Sequence, residues 1–157
     1  MHRLGAHGRR APVEAWLFVL SVAPPLGLGV SIKLTNNNIT EEGCHALTSV
    51  LCSNPSNLIE LDLSFNNLGN SGVQHICSML KKTNCKLQKL ELNNCSITDV
   101  GCDAVASALH SNFSLKELDL DKNKIGQSGV QKLSDLLKNS NCALEKLNVF
   151  AHILVLL

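Results

Sequence analysis

Aromatic residues are scarce in this chain. It has no tyrosine, one tryptophan and four phenylalanines among 157 residues: Trp16, Phe18, Phe65, Phe113 and Phe150. Charge of either sign is also in short surplus. The net charge of +1 leaves no electrostatic basis for binding nucleic acid. A glycine-rich loop ending in Gly-Lys-Ser/Thr is missing, so no nucleotide is expected by that route. Gly69-Asn70-Ser71-Gly72 lacks the Gly-x-Ser-x-Gly spacing of a nucleophile elbow. No Cys-x-x-Cys pair offers zinc-ligand spacing. The apolar run Ala15 to Ala23 is too short to span a bilayer. The sequence therefore predicts no catalytic residues, no metal, no cofactor and no membrane span.

What the chain does have is a beat. Leu34, Leu63, Leu92, Leu120 and Val149 follow one another at 29, 29, 28 and 29 residues, a period that marks a stacked repeat. Around each lies L-x-x-L-x-L-x-x-N/C-x-L. It reads Leu58, Leu61, Leu63, Asn66, Leu68; then Leu87, Leu90, Leu92, Cys95, Ile97; then Leu115, Leu118, Leu120, Asn123, Ile125. An earlier unit has Ile32, Leu34, Asn37 and Ile39, with Gly29 in the first leucine's place. A last one starts at Leu144, Leu147 and Val149. Leu61 and Leu63 alternate with Glu60, Asp62 and Ser64, so each unit opens with a short strand buried on one face. Asn37, Asn66 and Asn123 fall just past the strands, where an amide can satisfy backbone groups of adjoining turns.

Four residues beyond each motif comes a glycine: Gly43, Gly72, Gly101 and Gly129. The period then changes to that of a helix. The expected buried stripes are Cys44, Leu47, Thr48, Leu51; Val73, Ile76, Cys77, Leu80; Cys102, Val105, Ala106, Leu109; and Val130, Leu133, Ser134, Leu137. Thr40 and Thr98 stand where N-caps are wanted, followed by Glu41 and Asp99. The unit is β-α. Strands stack ~4.8 Å apart, while packed helices need roughly 8–10 Å. The stack must therefore curve, giving an α/β right-handed superhelix: a horseshoe segment with the parallel sheet inside and helices outside.

Two unit types alternate. One carries Gly-Cys after the turn (Gly43-Cys44, Gly101-Cys102), the other Gly-Val (Gly72-Val73, Gly129-Val130). The second type ends in Asn84-Cys85-Lys86-Leu87 and Asn141-Cys142-Ala143-Leu144. Over about residues 29 to 150 this resembles the ribonuclease-inhibitor-like leucine-rich repeats, and equally the C-terminal repeats of NACHT-containing (NLR) innate immune receptors. Asn37 departs from the pattern, because a Gly-Cys unit more often has Cys there. The resemblance implies a protein–protein interaction module without enzymatic activity: a fragment of the sensing or autoinhibitory repeat arm of a cytoplasmic NLR-type receptor. The alternatives are a ribonuclease-inhibitor-like enzyme inhibitor and a secreted leucine-rich-repeat binding protein. In each case the partner is a protein, gripped by the concave strand residues Glu60, Asp62, Ser64, Phe65, Lys89, Glu91, Asn93, Glu117, Asp119 and Asp121. These fall in columns, Lys33-Asp62-Glu91-Asp119-Asn148 beside Ser31-Glu60-Lys89-Glu117-Lys146. The acidic run Asp62, Glu91, Asp119 suits a basic partner. Phe65 is the only aromatic on this face, which weakens the inhibitor alternative.

The compartment is signalled in two directions. Seven cysteines cannot all pair internally, and Cys44, Cys77, Cys95 and Cys102 fall on positions expected to be buried. Thiols used as small apolar fillers favour the reducing cytoplasm. Residues 1–25 point to secretion instead, with Arg3, Arg9 and Arg10 ahead of a short apolar run. So do the sequons at Asn38, Asn94 and Asn112. Residues 1–28 and the apolar tail 151–157 share nothing with the repeat pattern, which bounds the repeat domain to 29–150. Uncapped repeat ends would make the chain prone to self-association.

Overall fold

The computed structural model describes residues 3–5, 29–53, 57–139 and 141–149. The strands are β1 (Arg3–Gly5), β2 (Val30–Lys33), β3 (Leu58–Asp62), β4 (Lys89–Glu91), β5 (Glu117–Asp119) and β6 (Lys146–Asn148). The helices are α1 (Glu41–Ser53), α2 (Gly69–Leu80), α3 (Asp99–Ser111) and α4 (Gln127–Leu137). All six strands lie in one sheet, in chain order and parallel to their neighbours. Each helix packs on the helix of the adjoining repeat. This is the β-α repeat stack expected from the leucine beat.

The core is aliphatic, as the lack of rings demands. Ile32, Leu61, Leu90 and Leu118 are each at most 2% exposed, and Leu34, Leu63, Leu92 and Leu120 at most 3%. These leucines tie consecutive repeats into one hydrophobic column, each burial worth about 1.5–3 kcal/mol. The stripes on α1 and α2 fall where the helical period puts them. On α3 and α4 three residues of each expected stripe are buried: Cys102, Val105 and Leu109, and Val130, Leu133 and Ser134. Ala106 and Leu137 are only half-buried, while Ala108 and Leu136 are buried. A helix in a stack is walled from the side as well as from below, so its covered arc is wider than one stripe.

Asn66 and Asn123 hold the turns together. The Asn66 side-chain carbonyl accepts the N–H groups of Asn37 and Ile39, and its amide donates to the carbonyls of Leu34 and Leu63. Asn123 does the same with Cys95, Ile97, Leu92 and Leu120. The Asn37 amide donates to the Thr35 carbonyl of its own turn, and the turn ahead of it lies outside the described residues. In the intervening unit Cys95 stands in the ladder, its thiol 3.3 Å from the Leu63 carbonyl. The two N-cap threonines also depart from expectation. Thr98 has the extended cap backbone but makes no side-chain cap bond. Its hydroxyl accepts from the Asn70 amide of the preceding helix at 2.8 Å, and its N–H donates to the Asn70 carbonyl oxygen. The Thr40 hydroxyl bonds Glu42. At Thr98, a lateral partner one repeat away takes the place of the local cap.

Two features lay outside the leucine pattern. Arg3–Gly5 pairs with β2, Leu4 opposite Ile32, so the sheet has a strand ahead of the first recognisable unit. At Gly29, an added Cβ would stand 2.6 Å from Ile59, and the β2–β3 pairing slips beside it, between Val30 and Ser31. Glycine there makes room for the side chain that the slip pushes across. Apart from residues 3–5, the leader-like segment 1–28 and the tail 151–157 lie outside the described residues.

Candidate protein-binding face

The outward positions of the strands form ladders. Ser31, Glu60, Lys89, Glu117 and Lys146 stand opposite one another across the sheet, as do Lys33, Asp62, Glu91, Asp119 and Asn148. The register comes from the leucines. Because Leu61, Leu90 and Leu118 are pinned inward, both flanking residues of each strand must point the other way.

These side chains are tied to each other. Lys89 Nζ lies 2.8 Å from Glu91 Oε1. With Glu60 and Glu117 on either side in its column, this partner raises the ammonium above the usual lysine value. Ser31 donates to Glu60 at 2.9 Å. Asp62 accepts the Thr35 hydroxyl at 2.9 Å and the Ser64 N–H at 3.0 Å. Burial pushes the Asp62 carboxyl up, but its hydrogen bonds outweigh burial and hold it below the ordinary value. Asp119 accepts the Asp121 N–H and the Asn148 amide. Such pairing fixes rotamers in advance, so less side-chain freedom is lost when a partner docks.

Phe65, the one aromatic on this face among the described residues, is 43% exposed, with Lys122 Nζ 5.7 Å from its ring centre. Its backbone has φ of 60°, a conformation uncommon for a bulky residue. The equivalent positions Asn36, Asn94 and Lys122 share it, at 58°, 50° and 57°. The turns out of β2, β3, β4 and β5 therefore each take a left-handed residue at this position, which asparagine tolerates better than phenylalanine.

Of the ten residues singled out from sequence, nine are half-exposed or exposed. Ser64 is the exception. It is 3% exposed, and its hydroxyl accepts the Asn93 N–H, so it serves the turn and offers a partner little surface. The Asn93 carbonyl oxygen is likewise engaged, by the Asp121 N–H. Thr35 and Lys122, exposed on the same rim, also belong to this face, as do Lys146 and Asn148 at the ends of the columns. A dimple of ≈ 50 Å³ lies between the β4, β5 and β6 side chains, far smaller than the ~300–1,000 Å³ of small-molecule sites.

The thiols take no part in this face. Burial pushes Cys44 and Cys77 up to about 12, and Cys95 and Cys102 up to about 11. All seven cysteines are free. Two of the sequons are poorly placed for a glycan. Asn112 is 4% exposed with its amide on the Leu80 carbonyl, and Asn94 precedes the fully buried Cys95. Asn38 is exposed. Among the described residues no helix is long and apolar enough to cross a membrane.

A parallel sheet with one helix per strand, laced by an Asn/Cys ladder, defines a leucine-rich-repeat solenoid, and comparison with known proteins agrees. The "Leucine Rich repeat" family matches residues 54–77, 83–106 and 111–134. Pig ribonuclease inhibitor is 42% identical over 118 residues, 75% of this chain and 26% of that protein. The human NACHT, LRR and PYD domains-containing protein 3 is 40% identical over 118 residues, again 75% of this chain but 11% of that protein. Among solved structures, the leiomodin-1 actin-binding site 2 superposes with a TM-score of 0.71 at 26% identity, over 88% of this chain and 80% of that one. This chain carries leucine-rich repeats related to those of ribonuclease inhibitor and the NACHT/LRR proteins, and it spans about a quarter or less of the length of those relatives.

Proposed function

We propose that the repeats are a protein-recognition surface, belonging to the sensing or autoinhibitory arm of a cytoplasmic NLR-type innate immune receptor. The observation that carries this reading is the concave face: an acidic column (Asp62, Glu91, Asp119) beside a charge-alternating one (Glu60, Lys89, Glu117), with the exposed Phe65 at the rim, over an aliphatic core. The partner is a protein with a basic, partly apolar contact surface. Binding is reversible and no bond is made or broken. The protonated buried thiols and the relatedness to NACHT/LRR proteins support the cytoplasm.

Phe65 offers the sharpest test. Phe65→Asn gives the left-handed turn the residue it has at Asn36 and Asn94, a gain of up to about 1 kcal/mol, offset by loss of the Lys122 contact, about 0.5–1 kcal/mol. Thermal stability should hold or rise while affinity for a captured partner falls at least tenfold. Loss of stability with unchanged affinity would mean that Phe65 serves the fold instead. Relatedness to ribonuclease inhibitor supports a second reading, a clamp on a basic enzyme. Adding the protein to a pancreatic-type ribonuclease decides it: inhibition supports the clamp, and full retained activity removes it. Secretion is tested at Asn38, where a glycan in native material would replace the cytoplasmic assignment.

A further inference from the structure

The convex side carries an arrangement that no local motif reveals. His45 on α1 and His75 on α2 are 30 residues apart, yet their Nδ1 atoms lie 3.3 Å from each other. The ring centroids are 4.5 Å apart and the rings are tilted by 50°. His45 lies two residues after Gly43 and His75 three after Gly72. That one-residue offset brings the rings together across the seam between the helices. Left without a metal, one Nδ1 must donate its hydrogen to the other.

We propose that His45 and His75 form a two-histidine chelate for a divalent first-row transition ion. The separation is what such an ion requires. Two imidazole nitrogens, each ~2.0–2.1 Å from a tetrahedral Zn²⁺, stand roughly 3.3–3.4 Å apart. Neutral imidazole suits Zn²⁺, Ni²⁺ and Cu²⁺ and not the hard cations. Among the described residues no third His, Cys, Asp or Glu joins the pair. The remaining coordination positions therefore belong to water or to a donor from outside the chain. His45 is exposed and His75 half-buried, so the ion has access. Buried, protonated thiols do not compete near neutral pH. An ion held here spans two repeats and clips α1 to α2, so its binding is also a gain in stability of that seam.

Titration of the full chain with Ni²⁺ and with Zn²⁺ tests this, followed by calorimetry and by the ¹⁵N resonances of the imidazole rings. The expected result is one ion per chain, with the Nδ1 signals of both histidines shifted and the melting temperature raised until a chelator is added. His45→Asn and His75→Asn should each weaken binding at least tenfold. Cys85→Ser, placed on a half-buried thiol elsewhere, should not weaken it. Binding that survives both histidine substitutions, or is lost in the cysteine variant, overturns the proposal. Should a variant fail to fold, the wild-type imidazole signals decide: unmoved at saturating ion, they leave the pair as a hydrogen bond only.

Discussion

Asn66 uses both ends of its side-chain amide, and every partner it meets is backbone. Two N–H groups arrive at its carbonyl and two carbonyls receive its NH₂ at under 3 Å. Asn66→Ala strands these groups in the interior, so a loss of about 2–4 kcal/mol is expected in urea unfolding. Asn67→Ala, exposed in the turn beside it, should cost about 0.5 kcal/mol or less. Equal costs would mean the ladder does not hold the turns. The cysteines make a second prediction at this scale. A thiol reagent at pH 8 should modify half-buried Cys85 and Cys142 within minutes in the native protein. Cys44, Cys77, Cys95 and Cys102, held protonated by burial, should react only on unfolding. Mass spectrometry of the labelled chain reads both. The ladder asparagines and the buried thiols were legible from sequence because the repeat gives each position a fixed environment. The burial of Ser64 was not. Alternation alone puts it outward, but the strand has already ended at Asp62, and the turn draws its hydroxyl onto Asn93.

Each helix is set against its neighbour by a residue without a side chain. A Cβ on Gly101 would stand 2.6 Å from Ile97 Cγ2 and 2.7 Å from Asn70 Oδ1. Gly101→Ala must push α3 away from α2 and break the Asn70–Thr98 pair. A cost of about 1–3 kcal/mol is expected in denaturant, against about 0.5 kcal/mol or less for Val100→Ala on the exposed turn beside it. Parity between the two would show that the helices have slack. At this scale the sequence shows the helix starts and the stripes of α1 and α2, because a 3.6-residue period needs only the chain itself. It does not show what Thr98 bonds, nor the full buried arc of α3 and α4. Both depend on a neighbour one repeat away.

Stacking converts a one-dimensional list into two surfaces with different content. The strand columns were readable because leucine alternation fixes which side chains share a face, and the 28- and 29-residue steps fix which of them line up. The histidine pair was not readable, since its members sit at offset positions and meet only across the helical seam. The β1 strand was invisible for another reason: three residues are too few to display a period. Two surfaces also allow the claim about binding to be separated from the fold. Glu60, Glu91, Asp119 and Asp121 lie on the sheet side; Ser49, Gln74, Ser78 and Lys132 are exposed on the helices. The decisive measurement is the affinity of a captured partner for two variants, a sheet-face one carrying E60Q/E91Q/D119N/D121N and a helix-face one carrying S49A/Q74A/S78A/K132Q. Binding weakened at least a hundredfold by the first set, and within threefold of wild type for the second, is the predicted result. Full affinity in the first with loss in the second would contradict it and assign recognition to the helices.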